Sequence, residues 1–220
     1  MINAILFDMD GVLIDTERLN LKFTIETAKD MGFDVTPEDA LTQRSSVSEV
    51  SDKFFKSKYG EDFNFYAMRD ERRRRIQIYI DENGLELNEG VNEVLDHVEK
   101  RNLKKAVVTS SDFDRAMVYI RMLGIEDRFD TIVSASMVEL GKPNPDVYLY
   151  TAEIIGENPE DCIAVEDSPN GVRSAYSAGC KVAMYPDLTE PDEEMREMSS
   201  WVLDSIKDLI KIVDESLNKR

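Results

Sequence analysis

The run Ala4-Ile5-Leu6-Phe7-Asp8-Met9-Asp10-Gly11-Val12-Leu13-Ile14-Asp15-Thr16 decides how this chain is read. Its apolar residues stop abruptly at Asp8, which is the pattern of a strand buried on both faces whose carboxyl end meets a polar turn. Asp10 and Gly11 supply that turn. In an open parallel sheet, ligands bind outside the carboxyl ends of the strands, so the residues that follow each apolar run carry the functional information.

Working outward, the rhythm past this run changes to helical periods: Leu19, Phe23, Ile25 and Ala28, then Val47, Val50, Phe54 and Phe55, then Arg75 to Ile80. Asp81-Glu82-Asn83-Gly84 closes the block with turn residues. An all-helical unit over residues 15–83 is therefore expected, inserted between the first strand and the rest of the chain. From Gly84 onward strand and helix alternate. Predicted strands at Ala106–Val108, Thr131–Val133, Cys162–Val165, Lys181–Met184 and Trp201–Leu203 are separated by helices that stop at Gly124, Gly156 and Gly179. Helical crossovers between strands imply a mostly parallel sheet, hence an α/β, Rossmann-like core built from residues 1–14 and 84–220.

The charge balance excludes some roles. Across 220 residues, 27 Lys and Arg face 45 Asp and Glu, a formal charge of −18 that repels nucleic acid. No apolar run approaches the roughly 20 residues needed to cross a bilayer, and the opening segment meets an acid before a signal core develops. A cytoplasmic protein with no membrane or nucleic-acid partner is expected, as a monomer or weak homodimer. Cys162 and Cys180 lack metal-ligand spacing and read as buried thiols, and the single His97 cannot build a metal centre by itself.

The strand ends carry the chemistry. The first ends in Asp8 and Asp10, the second in Thr109 and Ser110, and a later one in Glu166 and Asp167, while Lys142 follows the strand near Thr131. One such acid is ordinary turn or helix-cap chemistry. Several carboxylates gathered at one sheet edge cannot all stay ionised without a cation, and oxygen ligands that leave room for water suit Mg²⁺. Lys142 and Thr109 add donors for an anion that also touches the metal, which suits a phosphoryl group. With that charge offset, Asp8 can attack phosphorus as nucleophile. Asp10, two residues on in an extended segment, lies on the same side and can protonate the leaving oxygen.

These motifs resemble those of the haloacid dehalogenase superfamily. DxDG followed by apolar residues and Asp-Ser/Thr matches Asp8 to Thr16. Thr109 ends an apolar strand, Lys142 stands in Gly-Lys-Pro-Asn-Pro-Asp, and Glu166-Asp167-Ser168-Pro169-Asn170-Gly171 completes the order. The resemblance implies a Rossmann-like core with a helical cap, Asp8 as nucleophile, Asp10 as acid and base, and Mg²⁺ held by Asp8, the Asp10 carbonyl and Asp167, with Glu166 on the metal's waters. The subgroup that the chain looks most like contains β-phosphoglucomutases and small phosphatases acting on sugar phosphates or phosphoglycolate. An acid at Asp10 argues against dehalogenase chemistry.

Thr16, Asn20, Arg44 and Ser110 are the expected substrate contacts. Asn20 stands where mutases of the subgroup carry a histidine, which favours hydrolysis of a small phosphorylated metabolite over the alternative, a phosphosugar mutase. Arg72-Arg73-Arg74-Arg75 invites a second phosphate site, but four consecutive helical residues spread around the circumference, so a largely solvated face is expected. A phospho-acceptor signalling module is the non-enzymatic rival; the helical block and the acceptor after the first strand speak against it.

Overall fold

The computed structural model describes residues 1–218. The strand β1 (Ala4–Phe7) is wholly buried, as four apolar residues with no solvated face require. It lies inside a six-stranded sheet with β2 (Lys104–Thr109), β3 (Thr131–Ser134), β4 (Cys162–Glu166), β5 (Lys181–Met184) and β6 (Trp201–Val202). The order is β3-β2-β1-β4-β5-β6 and every pairing is parallel. The sheet and its helical crossovers give the α/β, Rossmann-like class that the alternation predicts.

Period-two alternation along the strands divides the core. Ile5, Phe7, Val107, Ile163 and Val165 point to one face, covered by α5 (Val91–Lys100), α6 (Phe113–Met122) and α10 (Asp208–Asn218). Ala4, Leu6, Ala106, Val108 and Ala164 point to the other, covered by α7 (Asp146–Ile155) and α8 (Pro169–Ser177). Each helix presents an apolar stripe: on α5 it is Val91, Val94, Leu95 and Val98, all buried. The helix α9 (Glu193–Met198) escapes the periodicity reading because its six residues are too few for a 3.6-residue pattern; Asp192 caps it, accepting from the Met195 N–H at 2.8 Å. β6 ends at Val202, one residue before the expected limit, and Leu203 turns into the core.

Between β1 and α5 the chain carries α1 (Glu17–Asp30), α2 (Pro37–Thr42), α3 (Ser48–Tyr59) and α4 (Phe65–Asn83). α2 is another six-residue helix that the sequence pattern does not reveal, started by the Thr36 cap and Pro37. The outer part of this block has its own core, where Phe55 stacks on Phe63 and Phe65 at centroid distances of 5.0 and 5.8 Å. Its inner part, through Phe23, Ile76 and Ile80, joins the apolar cluster on the sheet. The entry and exit strands are laced together: Ile14 bridges Leu87, and Asn88 donates to the Leu13 carbonyl at 2.8 Å. Among the described residues no helix is long and apolar enough to cross a membrane.

Candidate active site

Sheet order puts the chemistry in one place. Phe7 pairs with Val107 on one side and Val165 on the other, so Asp8 emerges between the ends of β2 and β4. Chain direction out of the sheet diverges there, with β2 and β3 on one side and β4 to β6 on the other, and a crevice opens at such a point. The backbone N–H of Asp8 donates to the Val165 carbonyl at 2.9 Å, which fixes where the side chain starts.

Lys142 reaches this point from the loop before α7. It is fully buried, and its Nζ donates to Asp8 Oδ1 and Glu166 Oε1, each at 2.6 Å, and to the Val108 carbonyl at 3.1 Å. Burial alone would lower the Lys142 pKa, but the Asp8 and Glu166 carboxylates outweigh it and hold the ammonium form. Burial pushes Asp8 well above the usual carboxylate range; Lys142 opposes this, while Glu166 and Asp10 add to it. Asp167 is raised in the same way, by burial first, with Arg44 opposing and Asp8 adding. Tyr148 donates its hydroxyl to Glu166 Oε1 at 2.5 Å.

Asp8, Glu166 and Asp167 bring carboxylate oxygens within 4.8 Å of one another, all three buried. This donor set is hard, anionic and short of compensating charge, which is the condition a divalent cation relieves, so the residues fit such an ion. Two glycines keep the space open: a Cβ on Gly11, whose φ is +91°, would fall on the Asp167 carboxylate, and one on Gly171 would fall on Glu166.

Asp10 is oriented from both sides. Thr16 donates to one carboxylate oxygen and Ser111 Oγ to the other, at 2.9 Å for the latter. Thr16 is completely buried and its hydroxyl is spent on Asp10, so the expected substrate contact is instead a support for Asp10. Thr109 is also buried, and its Oγ1 accepts from the Ser111 N–H at 3.0 Å. Ser110 Oγ donates to the Ser45 carbonyl at 3.4 Å and borders the cavity.

That cavity, of about 460 Å³, lies between the sheet edge and the helical block; Asp8, Asp10 and Lys142 form its floor, and Asn20 and Arg44 line it with Ser110. Arg44 is less free than a substrate contact would be. Its Nε donates to Glu17 at 3.0 Å, Nη1 to Thr189 at 3.2 Å, and Nη2 to Asp167. The loop around it is latched to the core: Asn170 donates to the Arg44 carbonyl at 2.9 Å and to Ser46 Oγ at 3.0 Å, and Ser45 adopts a left-handed φ of 56°. The arginine run divides. Arg74 and Arg75 pair outward with Glu71, whereas Arg72 and Arg73 line the cavity, so the solvated-face reading holds for only half of it.

Sequence reasoning did not single out Ser111, Tyr148 or Glu17. Ser111 stood in the Thr-Ser-Ser triplet as a visible signal; Tyr148 and Glu17 sit in ordinary helical stretches and declare themselves only once the chain is folded. Cys162 and Cys180 are free and buried, and His97 pairs with Asp214 at 2.9 Å far along the chain from these motifs.

Comparison with known proteins agrees with the fold. The family model for haloacid dehalogenase-like hydrolases matches residues 5–185. A phosphorylated carbohydrates phosphatase of Thermotoga maritima is 33% identical over 80% of this chain and 81% of its own length. Hexitol phosphatase A of Escherichia coli is 31% identical over 85% of this chain and 87% of its own. Among solved structures, a β-phosphoglucomutase from Clostridium difficile superposes with a TM-score of 0.83 at 25% identity, covering 100% of this chain and 98% of that one. A match spanning most of the chain, on a parallel sheet whose central strand β1 leads into Asp8, makes this protein a member of the haloacid dehalogenase-like hydrolase family.

Proposed function

We propose that the chain is a Mg²⁺-dependent phosphatase that hydrolyses a small phosphorylated metabolite, a sugar phosphate, through a phosphoryl group carried on Asp8. The observation that carries this reading is the Asp8–Lys142 contact of 2.6 Å on the floor of the cavity, where Asp8 also belongs to a cluster of three buried carboxylates with Glu166 and Asp167. Asp8, Asp167 and the Asp10 carbonyl would hold the ion, with Glu166 behind them, and the bound dication supplies charge neutralisation for an anionic ester approaching an anionic nucleophile. Lys142 holds Asp8 in position and offers its ammonium to a phosphoryl oxygen. Asp8 Oδ attacks phosphorus; the new O–P bond forms as the ester O–P bond breaks, and the proton of Asp10 passes to the leaving oxygen. Asp10, held by Thr16 and Ser111, then takes a proton from water as that water attacks the same phosphorus and frees Asp8.

Residues 15–83 act in this proposal as a cap that encloses the substrate and excludes bulk water. Asn20, in place of a titratable imidazole, favours transfer to water over transfer to a second sugar hydroxyl. The test is a screen of phosphorylated sugars with and without Mg²⁺, run beside Asp8→Asn. Cation-dependent phosphate release that Asp8→Asn abolishes without unfolding supports the reading; release unchanged in that variant overturns it.

A further inference from the structure

We propose that Tyr148 is a positioning residue of the active site: its hydroxyl pins one oxygen of Glu166 and leaves the other for the water shell of the bound cation, and its ring helps to hold the Lys142 ammonium beside Asp8. This deepens the metal-dependent phosphatase reading and rests on it. Tyr148 is fully buried in the first turn of α7, within the apolar cluster on the second face of the sheet. A phenylalanine would fill such a place equally well, and a phenol hydroxyl there is a cost unless it finds a partner. The partner stands 18 residues on, at the end of β4, where the hydroxyl donates to Glu166 Oε1 at 2.5 Å.

That oxygen carries two donors. Lys142 Nζ also donates to Glu166 Oε1, at 2.6 Å, and directs its other two protons to Asp8 Oδ1 at 2.6 Å and the Val108 carbonyl at 3.1 Å. An ammonium has three protons to give, so the buried Lys142 is saturated. Glu166 Oε2, by contrast, has only Ser168 Oγ at 3.5 Å among the described residues. Glu166 belongs with Asp8 and Asp167 to the cluster that fits a divalent cation. Two donors on Oε1 therefore fix the rotation of the carboxylate and keep Oε2 unclaimed. Groups that hydrogen-bond the outer side of a metal's carboxylates set their orientation and, through it, the affinity for the ion. The ring contributes separately. Its centroid lies 5.3 Å from Lys142 Nζ, within reach for the electron-rich face to attract a desolvated cation. That attraction stays in place when Lys142 gives up an acceptor for a phosphoryl oxygen.

The test is calorimetric titration of the metal-free protein with Mg²⁺. Tyr148→Phe removes one oxygen and keeps the ring; it should weaken Mg²⁺ binding about tenfold or more, and turnover lost at low Mg²⁺ should return as Mg²⁺ is raised. Thr151→Val is the control. It deletes another buried hydroxyl of the same helix, one that donates to the Val147 carbonyl at 2.6 Å, and should leave Mg²⁺ affinity as it was. Tyr148→Leu, which also removes the ring, should bind inorganic phosphate at saturating Mg²⁺ about threefold more weakly than Tyr148→Phe does. Unchanged Mg²⁺ affinity in Tyr148→Phe, or an equal loss in Thr151→Val, overturns the positioning role; equal phosphate binding in the Phe and Leu variants removes the part given to the ring. Turnover separates this proposal from the one it rests on. Sugar phosphate hydrolysis by the wild type, with Mg²⁺ affinity indifferent to Tyr148→Phe, keeps the phosphatase reading and loses the positioning role. Mg²⁺ binding that depends on the Tyr148 hydroxyl, in a protein that hydrolyses no phosphate ester, keeps the positioning role and removes the phosphatase reading.

Discussion

Arg44, on the loop after α2, donates to the carboxylate of Asp167 at the end of β4, 123 residues away, and both side chains are almost fully enclosed. The guanidinium offsets an anion that otherwise faces Asp8 and Glu166. A divalent cation at the three-carboxylate cluster would serve the same anion, so the two positive groups compete for it. Arg44→Gln should therefore bind Mg²⁺ about tenfold more tightly by calorimetric titration, while the metal-free protein melts at a lower temperature. Weaker Mg²⁺ binding in that variant would contradict the competition.

Lys142 is the positive centre of a buried triad. Removing its charge leaves Asp8 and Glu166 enclosed without their ammonium partner, so Lys142→Met should destabilise the fold by about 3–5 kcal/mol in urea denaturation. The double variant Lys142→Met/Glu166→Gln should recover part of that loss, because one of the stranded charges goes with it, and should remain inactive. A Lys142→Met protein as stable as wild type would show that Asp8 and Glu166 do not depend on the lysine for their burial.

Gly171, in the first turn of α8, gives a prediction whose sign runs against helix propensity. Alanine in place of glycine inside a helix ordinarily stabilises by about 1 kcal/mol. Here the added methyl would land on the Glu166 carboxylate, so Gly171→Ala should instead destabilise by about 1–3 kcal/mol and weaken Mg²⁺ binding. A gain in stability on denaturation would refute that account of the close approach.

Asp39 in the helical block offers a pH test away from the site. Burial would raise its pKa, but bonds from Lys58, Tyr59 and Thr36 outweigh this and hold it below its ordinary 3.8. A carboxyl whose folded-state pKa is depressed contributes stability above the unfolded-state value and loses it as pH falls through the folded-state value. Because Lys58 is half exposed, the ion pair is screened and the contribution modest. Asp39→Asn should cost about 1–2 kcal/mol near neutral pH and progressively less below pH 3.8. A penalty that stays constant down to acid pH would mean that charge is not its source.

The strand ends were legible because their apolar runs are short, continuous and terminated by polar residues, and because a parallel sheet brings such ends to one edge. That is how Asp8 and Glu166 meet Lys142 from 134 and 24 residues away. What stayed hidden depends on facing rather than on order. Nothing in the sequence says that Thr16 turns inward to Asp10 while Asn20, one turn later, lines the cavity. Nor does it say which two of four consecutive arginines face the cleft, since that depends on how α4 is rotated against α1. Tyr148 looks like one more apolar stripe residue of α7 until Glu166 is found at its hydroxyl. The six-residue helices α2 and α9 were illegible because two turns hold too few positions for a period to show.

The central claim is that the Asp8 carboxylate, not water, makes the first attack on phosphorus. Each in-line displacement inverts the phosphorus centre, so two successive displacements restore it. Hydrolysis of a phosphate monoester made chiral with oxygen and sulfur isotopic labels reads this directly. Retention of configuration in the released phosphate is the outcome the account predicts; inversion would mean a single attack by water and would contradict it.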